Sequence, residues 1–390
     1  MKTRIVSIDI FRALTMLLMI FVNDLWTLHD IPQWLEHTAA EEDGMGLADV
    51  VFPMFLFIVG LSIPFAQRAR IKKGDTKAKV LAHILLRTLA LVVMGFFMVN
   101  SENFGSEMSQ GARKAWEVLM ILAFLLIWNQ YEKKKISGIP VWLLQAAGIL
   151  VLALLALFFK GGSPEEPEWM SPHWWGILGL IGWAYLICAV LYLLAGNRSW
   201  LIIVFWIALH ALNAGEFLPV SGTGRGFRFM VSASNYALVM SGVLATVIYN
   251  RYRNTDRKFL FPALLLIPAV LSLVYGFWFR PFWGISKILA TPSWTAICAG
   301  ISFAAIAVIY VFTDVYQVTR WANVIMPAGR STLTCYLLPT LVYPVLWPLQ
   351  QLLPQVLLEG WVGLIKSLLF ALLIIGLTGL LERINIRLKI

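Results

Sequence analysis

Runs of apolar residues too long and too frequent for a soluble core dominate this sequence. To within several residues at each end they occupy 5–28, 47–67, 79–99, 115–131, 140–159, 173–195, 199–213, 231–250, 259–279, 292–313, 331–350 and 360–381. A membrane-crossing helix needs roughly 20 predominantly apolar residues. Twelve such runs within 390 residues leave no room for a soluble domain of ordinary size beside them. Charge content agrees: 13% of residues are charged, against about 25% in soluble domains, and the mean hydropathy is +0.77. The expected fold is an all-α polytopic transmembrane helical bundle of about 12 helices, forming a single domain over 1–390. The run 199–213 is the weakest, being short and carrying His210. Without it the count is eleven and every later segment changes side.

Loop charge sets the orientation. With the N-terminus inside and all twelve runs crossing, the inner segments carry Lys2, Arg4, Arg68, Arg70, Lys72, Lys73, Lys77, Lys133, Lys134, Lys135, Arg198, Arg251, Arg253, Arg257, Lys258, Arg320, Arg330, Arg383, Arg387 and Lys389. The outer loops carry few cations and most of the acids, among them Glu36, Glu41, Glu42, Asp43, Glu102, Glu107 and Glu216. This is the positive-inside pattern, and it places both ends in the cytoplasm. Lys2 and Arg4 ahead of an apolar stretch resemble a signal peptide. Residues 5–28 are long, however, and no small-residue cleavage site follows, so the stretch reads as a retained first helix. The net charge of +10 belongs to these inner loops and does not point to nucleic acid. Cys188, Cys298 and Cys335 lie inside apolar runs without paired spacing or a nearby His, which indicates neither a disulfide framework nor a metal site. No internal repeat is obvious. Tryptophans gather near run ends, as an interfacial belt does; the group from Trp169 to Trp175 could alternatively form a sugar-stacking platform.

Charge inside an apolar run is costly and asks for a reason. Asp9 and Arg12, in SIDIFRA, are three residues apart and share one helical face, so they can pair as an anchor or as a charged floor for a cytoplasmic ligand. Asn23 and Asp24 end the first run. The loop 29–46 then supplies His29, Glu36, His37, Glu41, Glu42 and Asp43, and Asp49 opens the second run. Asp49 and Glu36 are available to orient His37, and a carboxylate-held imidazole is a candidate general base or acyl acceptor, where a lone loop His is simply solvated. Arg87 sits within the third run with no partner evident in the sequence. Lys287 and Arg330 precede the tenth and eleventh runs, in GISKILATPSW and PAGRSTLTCYLLP. There Ser331, Thr332 and Thr334 either line a polar cavity or act as helix–helix glue. No phosphate-binding GxxxxGK[ST] or HExxH motif occurs; SGTGRGF (221–227), glycine-rich and outside, is a weak phosphate-loop candidate or a flexible substrate-side loop with Arg225 and Arg228 as anion contacts.

Taken together, SIDIFRALTMLLMIFVND and LEHTAAEEDGMGLADVVFPMFLFIVGLSI resemble the N-terminal signature of the heparan-α-glucosaminide N-acetyltransferase family and its bacterial NagX-like relatives. The matching positions are Ser7, Asp9, Phe11 and Arg12, then Val22 and Asn23, then His37, then Asp49 to Pro53. The sequence reads FRA where the family reads FRG, and EED lengthens the spacing from His37 to Asp49. The resemblance implies a membrane acyltransferase that takes acetyl from cytoplasmic acetyl-CoA and delivers it to an amino sugar or other saccharide on the far side. It puts the catalytic histidine on His37 and an active-site asparagine on Asn23, with Asp49 orienting the site. Asp9, Arg12, Lys287 and Arg330 are the candidates for substrate or CoA binding. The implied partners are the bilayer, acyl-CoA and a saccharide acceptor, with a homodimer left open and no metal required; the implied location is a bacterial inner membrane. The rival readings are a transporter of amino sugars or cell-wall fragments, with the same polar residues lining its path, and a structural or sensory membrane protein.

Overall fold

The computed structural model describes residues 5–131, 139–196, 198–218, 230–252, 255, 257–350 and 352–390. The SGTGRGF segment with Arg225 and Arg228 lies outside the described residues, as do Lys2, Arg4, Lys133, Lys134, Lys135 and Arg253. The described helices are α1 (Val6–Asp24), α2 (Leu47–Lys72), α3 (Lys77–Asn100), α4 (Gln110–Trp128), α5 (Val141–Leu157), α6 (Gly176–Ala195), α7 (Ser199–Gly215), α8 (Ala233–Tyr252), α9 (Leu260–Trp278), α10 (Arg280–Trp283), α11 (Pro292–Tyr310), α12 (Met326–Arg330), α13 (Thr332–Gln350) and α14 (Gly360–Arg383). One two-residue hairpin, β1 (Gly161–Gly162) with β2 (Pro167–Glu168), follows α5.

Each apolar run has become a helix, and α10 and α12 are short extra turns within segments that read as loops. Among the described residues, seven helices are long and apolar enough to cross a membrane: α1, α2, α3, α6, α9, α11 and α14, while Val141–Leu157, Ser199–Gly215 and Thr332–Leu346 are apolar but shorter. The protein is an all-α polytopic membrane protein. Its α8 explains why hydropathy understates the bundle. Every residue from Ala233 to Val247 is buried, so the helix is surrounded by protein rather than lipid and can carry Ser234, Asn235, Ser241 and Thr246. Its serines and threonine have partners: Ser234 bonds Thr295 (2.6 Å), Ser241 bonds the Ala237 carbonyl and Thr246 the Leu61 carbonyl (both 2.8 Å).

Small residues let α8 reach α2. A Cβ on Gly60 would fall 1.9 Å from the Val239 carbonyl oxygen, and one on Gly242 would fall 1.9 Å from that of Phe57. The two backbones therefore touch, as small residues permit where lipid supplies no hydrophobic drive for helix association.

Long-range bonds sort the helix ends into two sets. At one end Ser7 N–H donates to Asp314, Arg12 donates to the Gly329 carbonyl, and Arg387 donates to the Arg330 carbonyl, so the start of α1 and the segment after α14 gather around α12. At the other end Asn213 donates to the Ala290 carbonyl and Glu216 accepts from Ser232 and from Ala233 N–H. The α7 helix therefore ends, and α8 begins, at the end opposite α12, and the run 199–213 forms α7, an apolar helix shorter than the seven candidate spans. Arg87 in α3 finds the Tyr185 ring of α6, with its guanidinium carbon 4.7 Å from the ring centroid. The partner is an aromatic face and not the carboxylate or carbonyl that charge alone would suggest.

Candidate active site

The site is built on the N-terminus of α2. Gly46 caps the helix, and its N–H donates to Asp49 Oδ2 (3.0 Å), as does Thr38 N–H (3.1 Å). Gly46 is required for a close approach: a Cβ there would fall 2.0 Å from the Glu36 carbonyl oxygen, so the chain ahead of His37 packs directly over the helix start. With Oδ2 committed to two backbone donors, Asp49 Oδ1 faces His37 Nδ1 at 2.6 Å. An acceptor-only carboxylate fixes the tautomer with the proton on Nδ1, leaving Nε2 with its lone pair. Asp49 is buried, whereas 49% of the His37 side chain is exposed, so the base is reachable and its orienting carboxylate is not. Trp294 at the start of α11 donates to the Asp49 carbonyl (3.2 Å) and joins that helix to the site.

Lys287 is the second cation-bearing group here. Its Nζ stands 3.1 Å from His37 Nδ1, 3.3 Å from Nε2 and 3.9 Å from Asp49 Oδ1. One carbon bridges the two ring nitrogens, and a point so close to both within the ring plane would overlap it. The amine therefore stands over the imidazole face and leaves the Nε2 lone pair open in the plane. Burial lowers the Lys287 pKa from the usual 10.5, and the Asp49 carboxylate opposes that fall.

The loop that carries Lys287 is latched to the loop that carries His37. Asp43 accepts from Arg280 Nε (2.9 Å) and from Ile285 N–H (2.7 Å), Gly44 N–H donates to the Ile285 carbonyl (3.0 Å), and Ser286 donates to the Ala40 carbonyl (3.1 Å). Thr291 caps α11 and donates back to the Gly284 carbonyl, closing the loop on itself. The acidic stretch Glu41–Asp43 thus has a structural use in Asp43.

Beside the site lies a cavity of about 600 Å³, walled by Trp174, Trp175 and Trp294, with Ser232, Asn235 and Lys287 on its lining. Two of its tryptophans belong to the group that the sequence leaves open as a sugar platform, and the serine and asparagine offer hydroxyl and amide groups.

The remaining sequence candidates fall elsewhere. Asn23 is exposed at the C-terminal end of α1, and among the described residues none of the hydrogen bonds around His37 reaches it. Its neighbour Asp24, 2% exposed, is the structured one: it accepts from Tyr343 and Ser367 (2.6 Å each) and pairs with Lys366 (2.9 Å). Asp9 and Arg12 do pair (3.4 Å), and Arg12 also donates to Ser62 (2.9 Å) and to Gly329 O (3.3 Å). Arg330 is exposed close by, at the end opposite His37. Lys287, grouped by sequence with these binding cations, is separated from them and belongs with His37. Thr332 and Thr334 bond backbone groups at Gly329 and Leu388, which is helix and tail anchoring. Cys188, Cys298 and Cys335 are free and buried.

Comparison with known proteins agrees with the N-terminal motif. Residues 4–161 match the family described as heparan-alpha-glucosaminide N-acetyltransferase, catalytic. The chain is 29% identical over 169 residues to heparan-alpha-glucosaminide N-acetyltransferase of Homo sapiens, covering 42% of this chain and 20% of that protein. It is 34% identical over 169 residues to the Mus musculus protein of the same name, covering 42% and 21%. The similarity therefore spans about a fifth of the length of these curated relatives. The segment that matches this family holds Asp9, Arg12, Asn23, His37 and Asp49.

Proposed function

We propose that this protein moves an acetyl group from cytoplasmic acetyl-CoA to a saccharide amine or hydroxyl on the far side of the membrane. The observation that carries the reading is the His37–Asp49 contact of 2.6 Å, held by two backbone donors beside an aromatic cavity that Lys287 lines. In the general-base route, Nε2 of His37 takes the acceptor's proton as its nitrogen or oxygen attacks the thioester carbonyl; the C–S bond breaks and the proton passes to the departing thiolate. In the covalent route, Nε2 attacks the thioester carbonyl and the C–S bond breaks to release the thiolate; the acceptor then attacks the acyl-imidazole, the N–C bond breaks, and the acceptor's proton passes to the freed Nε2. Asp49 serves both by holding the tautomer and balancing the imidazolium.

Trp174 and Trp175 suit the faces of a sugar ring, with Asn235 and Ser232 as hydrogen-bonding groups and Lys287 at the reacting end. Asn23 is proposed to polarise the acyl carbonyl. Asp9, Arg12 and Arg330 lie at the opposite end, where a donor confined to the cytoplasm would enter. The 19 residues of α1 span about 28 Å between the two ends at 1.5 Å per residue. The whole chain acts as one unit in this reading, in a bacterial inner membrane.

The test is incubation of purified protein with labelled acetyl-CoA and a panel of amino sugars. His37→Ala is expected to lower transfer by about 10²- to 10⁴-fold. Undiminished transfer in that variant would remove His37 from the chemistry. Saccharide uptake into proteoliposomes without any transfer would replace the reading by a transporter.

A further inference from the structure

Lys287 holds an amine beside the position that an acceptor amine must take, in the ring plane at His37 Nε2. Its nitrogen is within 3.3 Å of both nitrogens of the proposed base. The latch of Asp43 with Arg280 and Ile285 holds its loop there, and the side chain lines the cavity with about a quarter of its surface, 26%, exposed. Burial moves its pKa down from 10.5, so a larger share of it is neutral amine than in a free lysine. A neutral, desolvated lysine amine is a nucleophile. Its four-carbon stem lets the nitrogen swing from the ring face towards a carbonyl presented at Nε2.

We infer that Lys287 is itself an acyl acceptor, so that the protein acetylates its own active site when donor is present and saccharide is not. The inference rests on the acyl-transfer reading. The neutral Nζ adds to the thioester carbonyl carbon, forming the N–C bond; the C–S bond breaks and coenzyme A leaves as thiolate. The proton released from Nζ passes to His37 Nε2 and from there to the thiolate sulfur. Nothing is oxidised or reduced, and the products are Nε-acetyllysine and free thiol. The amide does not turn over. It removes the cation over the His37 ring and places an acetyl group at the cavity mouth, so the modification closes the site.

The experiment uses the full chain and acetyl-CoA carrying a deuterated acetyl group, with peptide mass spectrometry over time. Lys72 and Lys73, exposed at the C-terminal end of α2, report non-enzymatic acetylation. Label on Lys287 is expected to appear at least roughly tenfold faster than on Lys73, and His37→Gln, monodisperse by size exclusion, is expected to abolish that excess. An amino sugar that is itself acetylated is expected to slow labelling of Lys287 by competition. Transfer to a sugar with Lys287 left unlabelled would overturn this inference and leave the acyl-transfer reading standing. Equal labelling in His37→Gln would overturn it as uncatalysed chemistry. Transfer to neither sugar nor lysine would overturn both.

Discussion

Asp24 offers the sharpest test of the packing at the C-terminal end of α1. Its carboxylate is 2% exposed and gathers three donors: Tyr343 Oη and Ser367 Oγ at 2.6 Å and Lys366 Nζ at 2.9 Å. Lys366 is less committed, with 21% of its side chain exposed and a second bond to Thr27 Oγ1 at 2.7 Å. Asp24→Ala takes the carboxylate from the buried Ser367 hydroxyl, the half-buried Tyr343 hydroxyl and the Lys366 ammonium, and removing one partner of a buried pair costs about 3–5 kcal/mol. Lys366→Met removes the ammonium's bonds to Asp24 and Thr27 but leaves both hydroxyls on the carboxylate, which puts its cost nearer about 1.5–3 kcal/mol. In the double variant the lysine is no longer stranded, so its cost falls short of the sum by about 1–2 kcal/mol. Unfolding of the purified protein in one fixed detergent, followed by size exclusion after a temperature ramp, ranks the three variants. A Lys366→Met loss as large as that of Asp24→Ala, or strict additivity, would refute the account of Asp24 as the hub.

Gly242→Ala places a methyl 1.9 Å from the Phe57 carbonyl oxygen and forces α2 and α8 apart, at a cost of about 1–3 kcal/mol or more, while Gly376→Ala, with nothing within 4 Å, is neutral or stabilising. The same melting assay compares them. For Asp43, burial would raise the pKa, but the hydrogen bonds from Arg280 and Ile285 N–H and the Arg280 charge outweigh it and hold it below 3.8. A lowered carboxylate contributes its full stabilisation above 3.8 and loses it only as pH falls through the lower folded value. Asp43→Asn should therefore weaken acetyl transfer by the same factor at mildly acidic and mildly alkaline pH, and a factor that shrinks across that interval would contradict the latch. Trp174→Ala should raise the saccharide KM by roughly fivefold, corresponding to about 1 kcal/mol of aromatic contact, with little change in kcat; initial-rate kinetics separate the two.

The bundle was legible because lipid imposes a length and a polarity that local sequence carries. The twelve apolar runs became helices, α7 included, with α2 running five residues beyond its run and α4 beginning five earlier. Those shifts fall where cations and polar residues extend a helix past the hydrocarbon, which hydropathy does not register. The carboxylate-held histidine was also legible, because His37 and Asp49 are close in sequence and share one helix start. Contacts between distant residues were not. Lys287 lies 250 residues from His37, and Tyr185 lies on a different helix from the Arg87 that it accommodates. The partners of Asp43 were hidden for the same reason: Arg280 and Ile285 lie 237 and 242 residues away and approach only once α11 packs against α2.

The same distinction bears on Asn23 and Asp24. A motif singles out Asn23, yet burial and bonding single out its neighbour, which fixes the end of α1 to α13 and α14 through Tyr343, Ser367 and Lys366. At the other end of the helix, Arg12 ties α1 to Ser62 of α2 and to Gly329 of α12. A helix clamped at both ends by charged groups cannot slide or rotate freely, because either motion would strand a charge away from water. On the proposed function, that rigidity is what positions Asn23, whose side chain makes no hydrogen bond among the described residues. It stands one residue before Asp24, so its direction is fixed by the Asp24 cluster, and loosening that cluster should cost acetyl transfer before it unfolds the bundle. A Lys366→Met protein that stays folded while losing transfer would support this, and full activity in that folded variant would assign Asp24 to stability alone.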